Sequence, residues 1–132
     1  MLIGMGMESI NPLAKTIPEA VYMIYQMTFA VITVALVAGS VADRMRFSAF
    51  LWFLGGWILL GYVPIAHWVW GGGWLASLGA LDFAGGTVVH VHAASAALVA
   101  ALVLGPRQAY ARPALLPHHV PFTLLGTGLL WF

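Results

Sequence analysis

Few side chains in this sequence could do chemistry, and the most informative is an imidazole. His90 follows Asp82 by eight residues in the string Asp82-Phe-Ala-Gly-Gly-Thr-Val-Val-His90. On a helix rising ~1.5 Å per residue, that spacing sets His90 ~12 Å beyond the carboxylate, among apolar neighbours. An imidazole there must hydrogen-bond something. It either glues one helix to another or lines a polar path. His92 stands two positions on, about 200° around a helix, so the two rings face opposite sides and could share a metal only from a strand. No metal site is expected. Asp82 also has two readings: its carboxylate can cap the amides of the helix that follows, and its charge can help hold a cation at the mouth of a path leading to His90.

Aromatic residues supply the other candidates. Trp68, Trp70 and Trp74 cluster around Gly71-Gly72-Gly73. They read as an interfacial aromatic belt, with a second option for Trp70, whose ring could meet a cation with ~0.5 to 2 kcal/mol of attraction. Tyr25 and Phe29 are spaced i, i+4 and stack on one helix face, either as packing or as a hydrophobic plug in a lumen. Enzymatic constellations are missing. There are no cysteines, Ser77 has no base beside it, and His67 and His90 lie at different depths, which disfavours bis-His haem. Neither an enzyme nor a cofactor is expected.

The elements that must position these residues are dictated by charge. The chain has 132 residues, 62% hydrophobic and 7% charged, whereas soluble domains carry charge at about 25% of positions. A soluble monomer is excluded, because so few charges cannot cover a globule without large apolar patches. A net charge of +1 offers no field for nucleic acid. The runs 20–42, 47–81 and 83–106 contain no charge, and a helix needs ~20 residues to cross ~30 Å of hydrocarbon. Unbroken runs such as Ala93-Ala-Ser-Ala-Ala-Leu-Val-Ala lack the alternation of a membrane β-barrel. The fold class is therefore all-α, a polytopic transmembrane helical bundle with spans near 20–42, 47–70 and 83–105 and a shorter one near 118–132. Pro64 should kink the second span near Gly61. Asn11-Pro12 and Ile17-Pro18 read as loop, with Pro18-Glu19 opening the first helix.

Arg44, Arg46, Arg107 and Arg112 fall on one side of these spans, which the positive-inside rule makes cytoplasmic. Segments 43–46 and 106–117 are then cytoplasmic, and 1–19 and 71–81 external. The opening Met1-Leu-Ile-Gly-Met-Gly-Met does not resemble a signal peptide. No internal repeat or linker divides the chain, and each helix has faces that only other helices could cover. Part of a larger bundle is expected.

The string Pro64-Ile-Ala-His-Trp-Val-Trp-Gly-Gly-Gly-Trp-Leu-Ala, followed by Gly79-Ala-Leu-Asp-Phe-Ala-Gly-Gly-Thr-Val-Val-His90, closely resembles the ammonium transporter family (Amt/Mep/Rh), on its Amt side. Thr16-Ile-Pro-Glu-Ala, Gln26-Met-Thr-Phe-Ala-Val-Ile-Thr-Val-Ala-Leu, Pro117-His-His-Val-Pro-Phe and Leu125-Gly-Thr-Gly-Leu-Leu-Trp-Phe agree, so the likeness covers nearly the whole chain. It implies an eleven-span inverted-repeat fold in the plasma membrane, assembled as a homotrimer with one pore per subunit, of which this chain resembles spans three to five and the start of six. Trp70, Tyr25 and Asp82 would then form the external ammonium recruitment site, with Asp82 ordering it. Phe29 would be one ring of the gate below, and His90 the first of two pore histidines. The second gate ring, a recruitment-site serine and the second histidine fall beyond the sequence, and His92 stands where Amt members usually have asparagine. The resemblance implies transport of ammonium or ammonia, with methylammonium as analogue, by the full-length protein and none by this piece alone.

Overall fold

The computed structural model describes residues 6, 8–107 and 118–131. Most of the expected loop 106–117, with Arg112, lies outside them, as do residues 1–5, Met7 and Phe132.

The first apolar run folds as α1, Glu19–Val41. Pro18 precedes it, where a missing N–H is no loss, and Glu19 sets a carboxylate at the positive end of the helix. Asn11 turns the chain upstream: its Oδ1 accepts from the Leu13 amide at 3.0 Å, and its Nδ2 donates to Glu19 at 3.3 Å. The loop and helix start read from the sequence are both found.

The second run departs from expectation. Between α2 (Phe47–Trp57) and α3 (Val63–Trp70) lies a π-helical segment, π1 (Ile58–Tyr62), in which the Val63 amide donates to the Ile58 carbonyl five residues back. Pro64 has no N–H to offer the Leu60 carbonyl, and its ring crowds that turn. The irregularity falls at Gly61, as anticipated, but as a widened turn within a continuing helix. The glycines then end α3, with the Gly71 and Gly73 amides both donating to the His67 carbonyl, at 3.0 and 3.1 Å. A single turn, α4 (Trp74–Ser77), occupies the link.

The third helix begins at Gly86 rather than Phe83, as π2 (Gly86–Val91) continuing into α5 (His92–Leu104). Gly85, at φ 89°, is the reason for the late start: that left-handed turn cannot belong to the helix. The fourth run forms α6, Val120–Trp131, without a buried residue.

α1 packs chiefly along α5 and π2. Thr33, Val37 and Val41 recur every four residues on its buried face, opposite Val88, Val89 and Ala93. Two arginines latch the far ends of these helices: Arg44, beyond α1, donates to the carbonyls of Gly105 and Ser40, while Arg107, beyond α5, donates to the Gly39 carbonyl at 2.7 Å. The C-terminal ends of α1 and α5 therefore lie side by side, and the two helices run parallel. At the opposite end Tyr62, Val69 and Val88 form a core cluster with Phe29 and Trp70 packed against it. Three helical stretches are long and apolar enough to cross a bilayer. Their outward faces are bare, with Trp52 85% and Leu60 84% exposed, a surface that water does not tolerate.

Candidate functional site

Asp82 organises the end of the bundle opposite the arginine latch. A helix opens with amides that have no carbonyl behind them. Here one carboxylate takes four: Oδ1 accepts from Gly85 (2.6 Å) and Gly86 (2.8 Å), and Oδ2 from Thr87 and Val88 (both 2.9 Å). The capping role read from the sequence is what the geometry shows. Partial burial works against the charged form, but these four donors outweigh it and hold the Asp82 carboxyl below the usual carboxylate range. Four acceptances also fill the lone-pair sites of a carboxylate. A cation nearby would feel the field of Asp82 without bonding its oxygens.

Trp70 is tied to the same residue, its Nε1 donating to the Asp82 carbonyl at 2.7 Å. Its ring lies edge-on to Phe29, centroids 5.2 Å apart, and Phe29 lies edge-on to Tyr25 at 5.1 Å. The i, i+4 pair of α1 and the tryptophan ending α3 thus form one aromatic run. With Asp82 they line a cavity of about 330 Å³ that also receives Tyr22 and Gln26. Trp68 and Trp74 pair with each other at 5.9 Å, away from this cavity.

Trp70, Tyr25, Asp82 and Phe29, which the family resemblance groups, line this one cavity, together with Tyr22 and Gln26, which the sequence did not single out. A signal existed. Gln26 is the one amide side chain of α1, and a polar group inside a span is a functional candidate by default.

His90 is not in this cavity. It borders a second one, about 240 Å³, with Leu36 on one side and Ala93, Ala94 and Ala97 on the other. Leu36 is seven residues beyond Phe29, hence two turns and ~10.5 Å further along one face of α1. The two cavities thus share the face of α1 that carries Phe29 and Leu36. The His90 amide donates to the Gly85 carbonyl, five residues back, at 2.9 Å, so π2 decides where its ring points. His92 lines neither cavity.

A chain whose described residues are helical, with three stretches long and apolar enough to span a bilayer, is a multi-pass membrane protein. A sequence model described as Ammonium Transporter Family matches residues 2–132. The chain belongs to the ammonium transporter family. An ammonium transporter of Bacillus subtilis is 51% identical over 131 residues, covering 99% of this chain and 32% of its own length. One of Aquifex aeolicus is 50% identical over the same number, covering 99% and 30%. A chain of Methanothermobacter thermautotrophicus is 53% identical, covering 99% and 31%. The chain thus spans about a third of the length of these relatives. No solved structure matches it.

Proposed function

We propose that the full-length protein to which these residues belong moves ammonium across the plasma membrane, capturing the cation at the Trp70 pocket and passing ammonia along α1 past Phe29 to His90. The family supports the substrate, and two relatives are named for it. The observation that carries the path is the presence of two cavities along one face of α1, the first ringed by aromatics beside a carboxylate, the second bordered by a lone imidazole.

Physics separates the two stations. A bare ammonium ion moved into a low-dielectric core pays a desolvation cost of order tens of kcal/mol, far more than neutral ammonia. A path gains by holding the cation outside and stripping its proton before or during passage. The Trp70 and Tyr25 rings offer their negative faces and Asp82 its field, which suits capture. Phe29 excludes water and hydrated ions, and His90 offers a hydrogen-bond partner and proton relay in an apolar lumen. The arginine latch marks the cytoplasmic side, by the positive-inside rule, and the Trp70 pocket the external one. The working unit is a homotrimer with one path per subunit.

Methylammonium uptake in transporter-deficient cells tests this. The full-length protein should restore uptake, its His90→Ala variant should lose most of it, and residues 1–132 alone should give none. Uptake by the short chain, or none by an inserted full-length protein, overturns the proposal.

A further inference from the structure

The third helix carries a second imidazole that the proposed path does not use. His92 opens α5 directly after π2 and is turned towards α2 and π1. Its ring stacks on Trp57, centroids 4.3 Å apart and planes 24° from parallel. Its Nε2 comes so near Gly61 that a methyl group added there would stand 3.1 Å away. Its Nδ1 is buried and faces the Val88 carbonyl without a hydrogen bond of ordinary geometry to any described residue. Shape, more than hydrogen bonding, holds this ring.

The location gives the contact its meaning. Trp57 is the last residue of α2 and Gly61 lies inside π1, so the ring straddles the widened turn of one helix while terminating the widened turn of the other. Tyr62 of π1 and Val88 of π2 join the same segments within the core. A widened turn that migrates along a helix rotates each residue it passes by about one position, ~100°. His90 lies inside π2, so such a slip would swing its imidazole away from the cavity it borders. The start of π2 is fixed by the Asp82 carboxylate.

We propose that His92 fixes its end, acting as a positioning residue that aims His90 into the cavity between α1 and α5. This rests on the path proposed above. His92 touches no permeating species. It wedges the third helix against Trp57 and Gly61 in one rotation.

The test is the concentration dependence of methylammonium uptake by the full-length protein carrying His92→Ala, Gly61→Ala or both, normalised to folded protein in the membrane. Each single change should lower the maximal rate about tenfold or more and leave half-saturation unchanged, because the outer pocket is untouched. The double variant should recover part of the loss, since the added methyl no longer meets a ring, giving a non-additive cycle. Unaltered maximal rates, an additive double variant, a change confined to half-saturation, or failure of both single variants to accumulate folded protein would each overturn the assignment. Trp70→Leu and His90→Ala, measured alongside, keep the premise separate: if both transport as wild type, the path itself is wrong whatever His92 does.

Discussion

At the residue scale, one carboxylate carries more of the architecture than any other side chain. Asp82 satisfies the four amides that open the third helix and offers its own carbonyl to Trp70, so pocket and helix start are one assembly. Asparagine cannot replace it. An amide oxygen has half the acceptor capacity, and the NH2 group would face donors. Because the Asp82 pKa is depressed on folding, its stabilisation is complete above the unfolded value of about 4 and fades as pH falls through the folded one. Thermal denaturation of the full-length protein in detergent should show wild type losing stability below about pH 4 and Asp82→Asn, already less stable at neutral pH, losing less. Parallel pH curves would contradict this. Gly85 is the other fixed point. It sits at φ 89°, and a methyl there would stand 2.7 Å from Val89 Cγ2, so Gly85→Ala should cost upwards of ~1 kcal/mol.

At the element scale, α1 and α5 are held at both ends by different means: aromatic packing on Trp70 near one end, guanidinium-to-carbonyl bonds at the other. Carbonyls at a helix C-terminus lack partners and carry partial negative charge, which arginine suits. Arg44 bridges two helices and is half-buried, whereas the Arg107 bond is exposed. Arg44→Ala should therefore cost ~1.5 to 3 kcal/mol of stability and Arg107→Ala distinctly less, as read by Tm in detergent. Equal shifts would contradict the latch as described. The helices themselves were legible, because lipid forbids charges in a span and the charges accordingly mark the ends. The widened turns were less so. Pro64 pointed to a kink near Gly61 but not to its π form, and π2 has no local marker beyond the glycines before it, since a π turn depends on what packs against it. The Tyr25–Phe29 contact was legible from its i, i+4 spacing, whereas its grouping with Trp70 and Asp82 came only through the family resemblance; Gln26 escaped notice because an amide amid apolar residues gives no spacing pattern.

At the scale of the whole molecule, little is buried. Phe83, Leu130 and Trp131 are 87% or more exposed, and such faces are stable only against lipid or other helices. Residues 1–132 expressed alone should thus stay in the membrane pellet on alkaline extraction, and release into the supernatant would contradict three spanning helices. The cavities give the same message, since both lie open along α1. The path is tested most directly by saturation curves of methylammonium uptake for Trp70→Leu and His90→Ala in the full-length protein. Loss of a cation–π contact of ~0.5 to 2 kcal/mol predicts that Trp70→Leu raises half-saturation about two- to thirty-fold with the maximal rate largely kept. His90→Ala should do the reverse, cutting the maximal rate at unchanged half-saturation. Curves for both variants that superimpose on wild type would contradict a path running from the Trp70 pocket to His90.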